Sequence, residues 1–368
     1  MSYSDVYDFK NLLNVGLDCC KGGRWKYSIQ AFEMTLLRNT AANKKKLESG
    51  KYKPKKTNNF KLCERGKWRD IKAHHITDRQ VYKSFCNNEL DKVIKNQVLE
   101  NNSASQVGKG TDHSIRLFRK GLTKAYRKFG RDFYVVTADY HNYFGSIVHD
   151  KVSDIIHLSD EQSANIMTQY IDIFDGNIGI GIGGEPSQKI SVVYPSKIDR
   201  TLACDKRVIS SGRYMDDIFV ICHLKSEAQD ILKIIINMSN GLGLQLNMKR
   251  TKISYMQKDS VVWLKKRTHL TESGKIIMEL TRKNVRDEVR NIKRQKEQIE
   301  NGERPLRSAF ESIQCWSSYA VKYNSRQQMM RAIKFFMEQF NVPWDIAKKL
   351  FKKKNSGFIK ACVNRSLI

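Results

Sequence analysis

Asp216 and Asp217 stand directly before Ile218-Phe219-Val220-Ile221-Cys222, a run whose β-branched and aromatic composition reads as a buried strand. Neighbouring carboxylates repel, and burying them without a partner costs several kcal/mol or forces one to keep a proton. The lead-in Gly212-Arg213-Tyr214-Met215 suits the other arm of a hairpin, whose turn would hold both carboxylates at one end of a sheet. A divalent cation can neutralise them there. A solvated turn is the commoner meaning of a bare Tyr-x-Asp-Asp, so a second feature has to decide.

Residues Phe133 to Ile147 supply it. A β-rich apolar run, Phe133-Tyr134-Val135-Val136-Thr137-Ala138, delivers one carboxylate, Asp139, at its end, and Phe144 follows five residues later. Three aspartates from two strand ends could hold two divalent ions, one activating a 3′-hydroxyl and one clamping a triphosphate and its leaving group. Phe144 would then lie where a ring abuts the sugar and excludes a 2′-hydroxyl. In isolation it is a core aromatic.

The charge of the chain points to a polyanionic partner. Over 368 residues the formal net charge is +28 and the pI about 9.7. Residues 1–130 carry 28 basic against 12 acidic side chains, residues 131–280 carry 18 of each, and residues 281–368 carry 20 against 8. A neutral centre holding the paired aspartates between two basic arms suits a reaction platform flanked by surfaces that grip phosphate.

The basic flanks contain further candidates. Residues 1–50 repeat Phe and Leu at helical spacing. Lys51 to Lys56 is a solvated linker or a phosphate contact. Phe60 to Ile71 reads as two short strands around a Gly66 turn, and an arginine on such a ribbon can bond two phosphate oxygens with its planar fork. His74 and His75 diverge on most backbones and lack a cysteine partner, which argues against a metal site. Gly108 to Asp112 lacks the full Walker spacing and reads as a turn into a helix capped at Thr111 or Asp112.

Residues 151–175 read as helical, and Asn177 to Gln188 packs four glycines into a loop where backbone can approach a ligand. Lys189 to Ala203 and Glu227 to Met238 read as helices, Leu242 to Ile253 and Val261 to Lys266 as strands, and Thr271 to Lys275 as a turn. Thr281 to Asn301 is a basic helix, two more follow between Arg307 and Phe340, and the tail Lys348 to Lys354 binds phosphate or is a solvated end.

Eight cysteines occur without any Cys-x-x-Cys spacing, which suits a reducing cytoplasmic compartment better than a disulfide framework or zinc site. No secretory leader and no apolar run of membrane-spanning length is present, so a soluble chain without a membrane partner is expected.

In this order the motifs resemble those of reverse transcriptases of the bacterial and phage group II intron-related lineage, over nearly the whole chain. The resemblance implies an α+β right-hand polymerase: fingers over 1–130, a palm with an antiparallel sheet over 131–280 with an inserted fingers segment at about 151–185, and a helical thumb over 281–368. Asp139 with Phe144 resembles motif A, Gly183 through Gln188 motif B, Tyr214-Met215-Asp216-Asp217 motif C, and Leu244 through Lys252 motif D. Val261 through Lys265, with Trp263, Leu264 and Lys265, is similar to the primer grip.

That resemblance implies RNA-directed DNA polymerisation from an RNA template, a primer and dNTPs with two Mg2+ ions, Mn2+ being able to substitute. The metal ligands would be Asp139, Asp216 and Asp217, with the Tyr140 carbonyl. Arg69 falls where the fingers arginine meets the triphosphate, with Lys61 or Arg65 as its companion. Ile182, Gly183 and Gln188 would line the nucleotide. Lys249 is the choice for the general acid of motif D, and Arg250 also fits the register.

The loop Ile182-Gly183-Gly184-Glu185-Pro186-Ser187-Gln188 departs from the commoner Gln-Gly-x-x-x-Ser-Pro. Its form, aliphatic first and Gln last, is most similar to the enzymes of diversity-generating retroelements, which copy RNA with errors at adenine and work with a small basic helical accessory protein. Replacing a polar Gln by Ile182 removes a group that helps hold the nascent base pair. A maturase extension, a retron thumb motif and an RNase H domain are not expected. An antiphage-defence reverse transcriptase of the same fold and a non-catalytic nucleic-acid-binding protein are the alternatives.

Overall fold

A computed structural model of the chain describes residues 3–64 and 66–343. Arg65 and the basic tail from Lys348 lie outside the described residues. The chain forms two compact units, one of Met1–Ala125 with Tyr134–Ile253 and one of Tyr126–Phe133 with Ser254–Ile368.

The first unit starts with α1 (Ser4–Tyr7), α2 (Phe9–Cys20), α3 (Tyr27–Met34) and α4 (Leu36–Glu48), as the helical spacing predicts. The Asp8 carboxylate caps α2 by accepting from the Asn11 backbone N–H at 2.7 Å. An antiparallel ribbon follows, β1 (Asn58–Glu64) and β2 (Lys67–Ala73), turning at Gly66 with φ +79°. Next come α5 (Ile76–Phe85), which passes through a π-helical turn at Cys86–Leu90 into α6 (Asp91–Gln97), and α7 (Thr111–Phe129).

The remaining elements of this unit are β3 (Tyr134–Asp139), a 3-10 turn at Tyr143–Ser146, α8 (His149–Ile155), α9 (Glu161–Ile171), α10 (Glu185–Val193), α11 (Ser196–Cys204), β4 (Val208–Tyr214), β5 (Asp217–Cys222), α12 (Lys225–Gly241) and the first half of β6 (Lys252–Tyr255), within which the unit ends. The strands form one sheet in the order β4-β5-β3-β6.

Strand β5 is buried on both faces, which is why it reads as an unbroken apolar run. Ile218, Val220 and Cys222 join the main core with Ala228, Ile231 and Ile235 of α12. The alternate residues meet α7: Phe219 packs edge-on against Phe118 at 5.0 Å, and Ile221 lies where a Cβ on Gly121 would come within 2.9 Å. Each such side chain, fully buried, contributes on the order of 1.5–3 kcal/mol. Packing against α12 on one face and α7 on the other seats the strand that begins at Asp217.

Two expected strands are shorter than their composition suggests. Leu242 to Ile253 is extended only at its end, in β6; before it, Gly243 takes φ +78°, Leu246 makes one isolated bridge to Tyr140, and residues 248–250 form a turn. Val261 to Lys266 breaks after Trp263. Leu264 (φ 45°) and Lys265 (φ 65°) both adopt left-handed backbone and fold the chain back on itself.

The second unit holds that hairpin, β7 (Val261–Trp263) and β8 (Lys266–Leu270), followed by β9 (Ile276–Leu280) in an antiparallel meander. Its described residues also form three helices, α13 (Arg282–Glu300), α14 (Leu306–Ala320) and α15 (Arg326–Gln339), around Ile292, Ile313, Met329, Ile333 and Phe336. The Thr281 hydroxyl caps α13 by accepting from the Asn284 N–H. The Lys266 ammonium is buried over the rings of Tyr319 and Tyr323, 5.1 and 5.2 Å from their centroids. No described helix is long and apolar enough to cross a membrane.

Candidate active site

Antiparallel pairing of β3 and β5 brings the carboxylate-bearing ends together: Asp139 stands opposite Asp217 in register, and Tyr214 of β4 opposes Asp217 on its other side. A two-residue turn, Met215-Asp216, joins β4 to β5, with Met215 at φ 53°. The Tyr140 N–H donates to the Asp216 carbonyl at 3.2 Å, so the turn is pinned to the extension of β3. The Asn247 N–H donates to the Asp139 carbonyl at 2.7 Å and attaches the next segment.

Arg250 Nη1 donates to Asp139 Oδ2 at 3.0 Å, and the Asp139 side chain is 10% exposed. Burial raises the Asp216 carboxyl above the ordinary carboxylate range; the Asp139 charge adds to that, while a backbone hydrogen bond, Arg250 and Arg69 oppose it. An added cation would relieve both effects.

Among the described residues no group of three or more His, Cys, Asp or Glu side chains is drawn together tightly enough to hold a metal alone. The donor set nevertheless suits Mg2+ or Mn2+. Such hard ions take oxygen ligands, and Mg2+ is usually held by one or two carboxylates with substrate phosphates and water rather than in an all-protein cage. Asp139 and the half-buried, proton-favouring Asp216 are the two carboxylates that would hold such an ion.

The glycine-rich loop lies against the β1–β2 ribbon. Ile182 makes a parallel bridge to Ile71, two residues along β2 from Arg69. Gly183 has φ +125°, and a Cβ there would come within 3.4 Å of Ile71 Cγ2. A Cβ on Gly184 would run into the Tyr170 hydroxyl and approach His74 Nε2 at 3.0 Å, so this loop requires glycine for close approach. Gln188 is exposed in the first turn of α10 and accepts from the Ser105 hydroxyl at 3.4 Å.

Phe144 is half-buried, edge-on to Tyr143 at 5.8 Å, and its carbonyl accepts from the Ile180 N–H at 2.8 Å. Arg69 is partly buried, and its charge reaches Asp216. Lys61 is exposed on β1 opposite Asp70, and Lys249 is exposed on the turn before Arg250. Trp263, Leu264 and Lys265 belong to the second unit, where Trp263 is buried and Lys265 exposed at the β7–β8 turn.

Two partnerships were not read from the sequence. The sequence register offers Arg250 as an alternative to Lys249, whereas the structure pairs it with Asp139. Arg213, on the strand leading to the turn, is buried against Asp199 of α11 at 2.8 Å. A buried arginine requires a carboxylate nearby, though its position cannot be read off the sequence.

The model of the family described as reverse transcriptase (RNA-dependent DNA polymerase) matches residues 53–270. No curated protein matches the chain. Among solved structures, an apo telomerase from Candida tropicalis, truncated of its C-terminal domain, is similar with a TM-score of 0.47 and 10% identity. The similarity covers 61% of this chain and 55% of that one, so the chain spans little more than half the length of that telomerase. With the family's pattern extending over more than half of its residues, and an antiparallel sheet and helices arranged around the paired strand ends, the chain belongs to the reverse transcriptase family.

Proposed function

We propose that the protein copies RNA into DNA at the ends of β3 and β5, as an error-prone polymerase of a diversity-generating retroelement. The observation that carries the catalytic reading is the opposition of Asp139 and Asp217 across paired strands, with Asp216 in the adjoining turn and Arg250 on Asp139. On this reading the N-terminal region is the fingers, the sheet the palm and α13 to α15 the thumb.

Two divalent ions bound by Asp139, Asp216 and the Tyr140 carbonyl would activate the primer 3′-hydroxyl and neutralise the departing pyrophosphate. Asp216 must be ionised to act, and Asp217 supports the local field. Arg69 offers its planar fork to the incoming triphosphate, with Lys61 alongside. Lys249 carries a proton to the leaving group. Phe144 stands against the sugar, and Ile182, Gly183 and Gln188 border the base pair. Trp263, Leu264 and Lys265 hold the primer strand.

Ile182 supports the retroelement assignment, because an aliphatic side chain cannot hydrogen-bond a nascent base pair and so discriminates less between bases. A small basic helical accessory protein is the expected partner. Primer extension on a defined RNA with Mg2+, followed by sequencing of the cDNA, tests the reading. Adenine-directed substitutions that decline in Ile182→Gln support it. Faithful copying removes the retroelement role, untemplated homopolymer favours a defence polymerase, and absence of extension by native protein leaves a binding protein.

A further inference from the structure

Arg213 is 1% exposed, and a guanidinium cannot shed its proton to escape the cost of burial. Its main answer is Asp199, 3% exposed, which it meets in a fork: Nε to Oδ1 at 2.9 Å and Nη2 to Oδ2 at 2.8 Å. The remaining donors are aimed elsewhere. Nη2 also donates to the Val192 carbonyl in α10 at 2.6 Å, and Nη1 donates to the Met215 carbonyl at 3.1 Å.

Met215 immediately precedes Asp216 and has φ 53°, a conformation that a non-glycine residue keeps only when its surroundings impose it. A buried ion pair is often replaceable by apolar side chains of similar volume without loss of stability. Stability alone is therefore a poor reason for Arg213 and Asp199. An apolar pair could not hold the Met215 carbonyl.

We propose that Arg213, oriented by Asp199, is a positioning residue that grips the Met215 carbonyl, fixes the left-handed turn and so aims the Asp216 carboxylate. Through Val192 the same side chain ties that turn to α10, the helix that begins at the Gly183-Gly184 loop. Both residues are buried, so the role assigned to them acts through the turn rather than by contact with substrate. The inference rests on the reading of Asp216 as a metal-binding carboxylate.

Two variants test it in the full-length chain: Arg213→Lys, which keeps the charge but loses the fork, and Arg213→Met with Asp199→Leu, which removes both charges. Circular dichroism melts report folding, electron paramagnetic resonance reports direct Mn2+ binding, and primer extension separates kcat from the dNTP KM. The double variant should melt close to native protein. Its Mn2+ affinity should weaken roughly 10-fold and its kcat fall about 10–100-fold, the scale for losing a residue that orients a metal ligand, with the dNTP KM little changed. Arg213→Lys should fall between the two.

Native Mn2+ affinity and kcat in either folded variant would overturn the proposal. So would a loss confined to the melting temperature. Asp216→Asn is the control for the underlying reading: if that variant still binds Mn2+ and extends primer, the metal site is misassigned whatever the Arg213 variants do.

Discussion

Arg250 donates from Nη1 to Asp139 Oδ2 at 3.0 Å, joining the turn after Asn247 to the end of β3. The arginine side chain is 57% exposed while the carboxylate is 10% exposed, so the cation lies at the open side of the pair. If Asp139 binds a divalent ion as proposed, this cation competes with it for the same carboxylate. Arg250→Ala should therefore tighten Mn2+ binding. An ion pair this exposed is worth about 0–1 kcal/mol, which bounds the gain at about fivefold. A Mn2+ titration by electron paramagnetic resonance measures it; weaker binding would show that Arg250 supports the metal site instead of competing for it.

Asp216 yields a prediction with opposite signs for activity and stability. Burial raises its carboxyl above the ordinary range, so the folded chain holds this proton more tightly than the unfolded chain does. The stability from this group is complete below the ordinary carboxylate range and is lost as pH rises through the raised value. At neutral pH Asp216→Asn should melt higher than native protein, with the gap closing as the solution is acidified below that range. Activity should drop by about 10³-fold or more, the scale for removing a member of a catalytic set. Mg2+ should raise the melting temperature of the native chain and leave the variant nearly unmoved.

Local chemistry made the hairpin legible, because residues 218–222 are apolar without interruption and a strand buried on both faces has that composition. Asp139 was legible for the same reason, as a charge ending a run like it. The segment from Leu242 was not, since its alternating leucines suit a strand while Gly243 and the turn at 248–250 divert the backbone. Nor was the break at Leu264-Lys265, which carries none of the Asn or Gly that ordinarily announces left-handed turns. The Arg213–Asp199 pair shows a further limit. A buried arginine requires a carboxylate, but only the packing of α11 on β4 says which one.

Arg69 sits on β2 two residues before Ile71, whose backbone meets the glycine-rich loop at Ile182, and its charge is felt at Asp216. A fork in this position should act on the triphosphate. Charged hydrogen bonds of this kind contribute roughly 1.5–3 kcal/mol, so Arg69→Ala should raise the dNTP KM about 10–150-fold. Arg69→Lys should recover part of the loss, because an ammonium keeps the charge without the paired geometry. Steady-state extension with varied dNTP decides the matter. A fall in kcat at unchanged KM would place Arg69 in the chemical step instead of in nucleotide capture.

Leu264 and Lys265 each hold a left-handed backbone that costs a residue with a Cβ on the order of 1 kcal/mol, and they do so consecutively. Asn-Gly is the pair that such a two-residue hairpin favours. Replacing Leu264→Asn and Lys265→Gly should therefore raise the melting temperature, since the pairing of Trp263 with Lys266 on either side of the turn is kept. If these side chains hold a primer strand, the same change should weaken primer binding and shorten the products made before dissociation. A higher melting temperature with unaltered primer affinity would mean that the strained turn serves something other than the primer. A lower one would mean that Leu264 packs for more than the turn costs.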